Sequence, residues 1–142
     1  MTDVALAKLA TMRRRLQRIE AATGGDPTRV RNLDTQDIVV LNLQRAVQAA
    51  IDLAAHLIAR SGWGLPDSLK AHFAILARER VIDADLCRQL EAMVGFRNIA
   101  VHDYQTLDIA VLERIVAERL PDLAGFADAV TRHLAAGSPP AG

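Results

Sequence analysis

The chain has 142 residues, 51% of them hydrophobic but only 4% aromatic, and its 17 Lys and Arg balance 17 Asp and Glu. Zero net charge excludes a polycation that holds nucleic acid through bulk charge, so any such contact must come from a local patch. The single cysteine, Cys87, excludes an internal disulfide and suits a reducing cytoplasm.

This length fits one domain with a real core, and an aliphatic core favours packed helices over a β-sandwich. The N-terminus has no apolar run of signal-peptide type. No stretch approaches the roughly 20 apolar residues that span a bilayer, so no membrane partner is expected. His56, His72, His102 and His133 lack the Cys or paired-His spacing of a metal site, so no metal or other cofactor is expected.

Residues 3–22 read as the first helix, with Leu9, Met12, Leu16 and Ile19 on one stripe. Arg13, Arg14, Arg15 and Arg18 follow in its second half, where cations favour the helix dipole. They are either a solvated face or an attraction for RNA backbone. Gly24-Gly25 stops this helix and Asp26-Pro27 continues the turn. Residues 34–60 read as the longest helix, capped by Asp34 or Thr35. Its apolar residues nearly surround it, which marks a helix central to a bundle or buried in an interface. The exception is a polar stripe, Asn42, Arg45, Gln48, Asp52 and His56, stepping by three and four. It is a solvent face or the lining of a wet cleft.

Trp63, between Gly62 and Gly64, reads as a packing plug over a helix end. A short third helix begins at Pro66 or Asp67, carries Leu69, Phe73 and Leu76 inward, and ends at Arg78-Glu79-Arg80. Asp83 caps the fourth helix, with Leu86, Leu90, Met93 and Val94 inward and Cys87 as a small buried hydrophobe. Gly95 costs that helix about 1 kcal/mol relative to Ala, which suggests a close helix or substrate contact there. Residues 107–136 form the last helical region, which Pro121 should kink or split near 117–121. Residues 1–136 thus form a single domain, and 137–142 a flexible tail by composition. The fold class is all-α: an up-and-down bundle of four long helices plus the short third. Its aliphatic excess suggests a symmetric dimer.

The stretch Gly95-Phe96-Arg97-Asn98-Ile99-Ala100-Val101-His102-Asp103-Tyr104 gathers a guanidinium, a carboxamide, an imidazole, a carboxylate and the only tyrosine. Arg and His together suit phosphate chemistry: one supplies permanent planar donors, the other a proton carrier near neutral pH. The bland alternative is a surface ion-pair partner and a dipole-favouring C-terminal histidine. Five residues of helix put Arg97 and His102 roughly 140° apart. Either the helix ends or distorts before His102, or a second surface completes the site.

The ordered set Arg-x-x-x-x-His-x-Tyr, with Gly-Phe before it and Asn after the Arg, resembles the signature of HepT-type proteins of the HEPN superfamily. Ala46 to Ala59 resembles that family's second helix, and Pro66-Asp67-Ser68 with Phe73 to Ala77 its third. The resemblance covers nearly the whole chain. It implies a metal-independent cytoplasmic endoribonuclease, the toxin of a toxin–antitoxin pair, in which two subunits pair so that their motifs face one cleft. Arg97 would hold the scissile phosphate and His102 act as general base or acid, with Asn98 on a phosphate oxygen or ribose. Asp52 or Asp103 would orient Arg97 or His102, and Arg45, Arg13 and Arg14 would contact RNA backbone. The resemblance also implies AMPylation of Tyr104 by an MntA-type nucleotidyltransferase antitoxin; chemistry alone favours a helix-end packing residue with its hydroxyl bonded to a neighbour. The competing class is a non-enzymatic module that binds nucleotide or docks a nucleotidyltransferase, with Arg97 gripping phosphates.

Overall fold

Aliphatic periodicity becomes helix along nearly the whole chain. The computed structural model describes residues 3–136, and no strand occurs among them. Helix α1 is Asp3–Thr23, α2 Leu33–Ser61, α3 Leu69–Arg78, α4 Ala84–His102, α5 Ile109–Arg114 and α6 Leu120–Ala136. Short 3-10 turns occupy Pro27–Arg31 and Tyr104–Thr106, and a π-helical segment, Ile115–Arg119, joins α5 to α6. Counting α5 to α6 as one rod gives the expected four long helices and a short third. The tail expected at 137–142 lies outside the described residues.

Polar residues set the helix starts, though not always the expected ones. Asn32, rather than Asp34 or Thr35, caps α2: its Oδ1 accepts the Thr35 N–H at 3.1 Å. The 3-10 turn before it buries Val30 completely, a small packing element where only a turn was expected. Helix α3 begins later than the expected Pro66 or Asp67: Ser68 caps it by accepting the Ala71 N–H at 3.1 Å. Asp83 caps α4 as expected, its Oδ1 accepting the Leu86 N–H at 2.7 Å. Such caps contribute about 1 kcal/mol each. At its end α2 turns out through Gly62, whose φ of 69° lies in the left-handed region that a side chain disfavours.

The core is a single cluster to which every α-helix contributes, from Met12 and Ile19 through Leu43, Leu53, Phe73 and Leu90 to Leu112 and Phe126. Phe73 and Phe126 meet edge to face, ring centres 5.6 Å apart, and tie α3 to α6. Burying each such ring contributes roughly 1.5–3 kcal/mol. Helix α2 is the hub, packed against α1, α3, α4 and α6. By length and composition it would pass for a membrane span, contrary to the expectation that no stretch approaches one. Most of its apolar window is buried inside the bundle, as befits a central helix.

Trp63 does pack against the core, its ring 5.8 Å from that of His133. Gly95 is not required by a close helix: a Cβ there would meet nothing nearer than Lys70 Nζ at 3.9 Å. The last rod is interrupted just before Pro121, close to the expected 117–121, but by a π-helical segment and not by a break, with the Leu120 N–H donating to the Ile115 carbonyl. The wider turn moves backbone away from the proline ring, which would clash with the carbonyl four residues back in a regular helix.

Candidate active site

Helix α4 runs unbroken through His102 and ends at Asp103, whose N–H donates to the Ile99 carbonyl at 2.8 Å. So Arg97 and His102 do share one helix, and the roughly 140° between them stands. Arg97 is half-buried and turned toward α2, whereas His102 is exposed on the last turn. One copy of α4 therefore aims these two groups apart.

Arg97 is held by amides. One terminal nitrogen donates to Gln48 Oε1 on α2 at 2.6 Å, and the other to Asn98 Oδ1 at 3.0 Å. Its Nε is buried without a partner. Among the described residues no carboxylate pairs with it, whereas Arg31 pairs with Glu113 at 2.8 Å and Arg13 with Asp128 at 3.6 Å. Neutral partners fix a guanidinium without cancelling its charge, so the charge stays available to an anion.

Asp52 serves this arrangement at one remove, a correction to the expected direct pairing with Arg97 or His102. Its Oδ1 accepts from Gln48 Nε2 at 2.8 Å, which turns the Gln48 oxygen toward Arg97. Its Oδ2 pairs with Lys8 of α1 at 3.0 Å. The chain Lys8–Asp52–Gln48–Arg97–Asn98 thus crosses three helices. Four-residue spacing from Asp52 was the only sign of Gln48 in the sequence. Asn98 has its oxygen engaged by Arg97, so its amide hydrogens are what remain for a ligand. Asp103 orients neither Arg97 nor His102: its backbone carbonyl receives the Thr106 hydroxyl at 3.0 Å, and its carboxylate bonds no described residue.

Tyr104 is tied to the start of α2. Its hydroxyl donates to Asp37 Oδ1 at 2.7 Å and lies 3.4 Å from Gln36 Oε1. Gln36 is buried and fixed by its own bond to the Val30 carbonyl at 3.2 Å. Burial first, then the Asp37 hydrogen bond and charge, push the phenol up to about 12. The residue nevertheless remains 39% exposed. Nothing in the sequence singled out Asp37 or Gln36, because only folding brings the α4 exit onto α2.

The basic residues do not form one patch. Arg13 points to Asp128 of α6, while Arg15 points to Asn42 of α2 at 3.3 Å. Arg14, Arg18 and Arg45 are exposed. A cavity of about 350 Å³ between the end of α1 and the π segment, lined by Leu16, Glu20, Pro27, Val116 and Leu120, includes neither Arg97 nor His102. Among the described residues no group of three or more His, Cys, Asp or Glu could hold a metal ion. An un-neutralised guanidinium and an exposed imidazole are the parts that phosphodiester chemistry uses: an anchor for the phosphate and a proton carrier.

The sequence model of the family described as ribonuclease HepT-like matches residues 12–130. An mRNA nuclease HepT of Shewanella oneidensis is 38% identical over 130 residues, covering 92% of this chain and 98% of the relative. Among solved structures, a tri-AMPylated Shewanella oneidensis HEPN toxin in complex with MNT antitoxin superposes with a TM-score of 0.87 at 38% identity, over 93% of this chain and 99% of that one. A toxin–antitoxin complex with AMP-PNP also reaches 0.87, at 36% identity over 92% and 99%.

Proposed function

We propose that this chain, which belongs to the HepT-like ribonuclease family, is a metal-independent endoribonuclease and the toxin of a toxin–antitoxin pair. Its relatives support the activity and the class of partner. The observation that carries the site assignment is Arg97, the half-buried guanidinium held only by carboxamides.

Arg97 anchors the scissile phosphate and stabilises the charge that develops on it. His102 accepts the proton of the attacking RNA 2′-hydroxyl, or donates to the leaving oxygen. Asn98 donates to a phosphate oxygen, while Gln48, held by Asp52, keeps Arg97 in place. Arg14 and Arg45 are the backbone contacts the exposed surface favours, since Arg13 is engaged by Asp128. Because Arg97 and His102 diverge on one helix, a homodimer completes the site, each copy offering one group to the other. Exposed Ile99 and Val101 on α4 and Ile38 and Leu41 on α2 supply apolar surface for that pairing. Sedimentation of the purified protein tests it, with a monomer at all concentrations as the outcome against it.

Tyr104 is where an MntA-type nucleotidyltransferase attaches AMP and silences the enzyme. The added phosphate and bulk, two residues beyond His102, oppose RNA binding. An RNA substrate and a nucleotidyltransferase partner suit a cytoplasmic protein. The deciding experiment is cleavage of total tRNA and mRNA in EDTA by unmodified protein, beside Arg97→Ala and His102→Ala. Cutting by the wild type alone supports the reading. Cutting that survives both substitutions, or none by protein whose mass shows an unmodified Tyr104, overturns it.

A further inference from the structure

Tyr104 does not stand alone: a carboxylate from another helix already accepts its hydrogen bond. We propose that Asp37 is the general base for nucleotide transfer onto Tyr104, taking the phenol proton as that oxygen attacks the α-phosphorus of a nucleoside triphosphate. This rests on the reading above that Tyr104 is the acceptor.

The geometry supplies what such a base needs. Asp37 Oδ1 lies 2.7 Å from the Tyr104 oxygen, within the reach required of a proton acceptor. The other polar group on the phenol is the neutral Gln36 carboxamide, 3.4 Å away. Gln36 is itself fixed by Val30, so the two acceptors hold the phenol from the α2 side. Tyr104 is itself 39% exposed, so a second protein can bring the triphosphate to it from solvent. Asp37 is exposed on α2, so a proton it receives has a path to water.

The need for a base follows from the phenol itself. Raised to about 12, it is essentially all neutral at physiological pH. A neutral phenol is a poor nucleophile, and its proton must leave as the new bond forms. In the step, the Tyr104 oxygen bonds to the α-phosphorus and the bond from that phosphorus to the bridging oxygen breaks. Pyrophosphate departs with that electron pair, and the proton passes to Asp37 and then to solvent. Asp37 also explains selectivity among nearby hydroxyls. Thr106, two residues on, directs its hydroxyl to the Asp103 carbonyl, which cannot carry a proton away.

The test measures AMP addition by intact mass. The purified chain is incubated with its MntA-type nucleotidyltransferase and magnesium ATP, as wild type, Asp37→Asn, Asp37→Glu and Tyr104→Phe. Asp37→Asn should lower the maximal transfer rate about a hundredfold while leaving the KM for this protein near wild type. Its remaining rate should climb about tenfold per pH unit, because the phenol must then ionise before attack, whereas the wild-type rate stays level. Asp37→Glu, which keeps a carboxylate, should recover much of the rate. An Asp37→Asn protein with wild-type rate and pH profile, or one altered in KM alone, overturns the base assignment and leaves the acceptor intact. AMP on Tyr104→Phe, or none on the wild type, instead removes the acceptor assignment and this inference with it.

Discussion

Arg97 and Tyr104 sit seven residues apart and are both held by α2, but in opposite ways. Arg97 faces carboxamides, with the acid Asp52 displaced behind Gln48 and paired with Lys8. Tyr104 faces a carboxylate directly. A charged group given neutral partners keeps its charge for a ligand; a neutral group given a charged partner keeps its proton to higher pH but has an acceptor in place to receive it. The same helix thus leaves one residue free to bind an anion and sets a proton acceptor against the other.

The largest effects should come from removing the groups themselves. Arg97→Ala and His102→Ala should each lower RNA cleavage by about 10²–10³, read from single-turnover rates, and Arg97→Lys should restore little because a point charge does not match the planar donor set. Gln48 then tests the electrostatic half of the comparison. Gln48→Ala should cost about tenfold through a looser Arg97. Gln48→Glu should cost more, about a hundredfold, because it pairs Arg97 with a carboxylate that competes with the phosphate. Equal activity of the Glu variant and the wild type would break the comparison.

Alkaline titration sharpens the other half. Tyr104 is the only tyrosine, so phenolate absorbance reports it alone. Its midpoint should lie near 12 and move down toward the ordinary value of 10.0 in Asp37→Asn. Since the folded phenol holds its proton to higher pH than the unfolded one, its contribution to stability is complete below pH 10 and lost as pH rises toward 12. The advantage of wild type over Tyr104→Phe in denaturant midpoint should shrink over that window. Smallest is Gly95→Ala, which should stabilise α4 by about 1 kcal/mol because the site has room. Stabilisation accompanied by lost cleavage would show that RNA, not a helix, uses the space.

The residue types of the site were legible in the sequence, and its wiring was not. Arg97, Asn98, His102 and Tyr104 stood out because reactive groups rarely cluster on a packing helix. The polar stripe on α2 stood out because it interrupts an otherwise apolar surface. Which stripe member meets Arg97 depends on how far α2 is turned against α4, and periodicity within one helix carries no information about that. Asp52 was therefore placed one contact too close. Asp37 was invisible for a stronger reason: one acidic residue near a helix start reads as a dipole partner until the chain exit at Tyr104 is laid over it. Helix existence followed from aliphatic spacing, while Asn32 displaced the expected cap of α2 and Ser68 set a later start for α3, since several neighbouring residues can cap equally well.

The π segment has a consequence for how this chain tolerates change in length. Ile115 and Leu123 are both buried, yet eight residues of regular helix would set them roughly 80° apart. The wider turn absorbs one surplus residue, so both reach the core. Remove one residue between 115 and 119 and the faces still align, now through an ordinary turn, seven residues apart. That shorter rod brings backbone back against the Pro121 ring. The surplus residue and the proline are therefore a matched pair: a homologous chain can dispense with both together, but losing either alone leaves the last helix with a fault to accommodate.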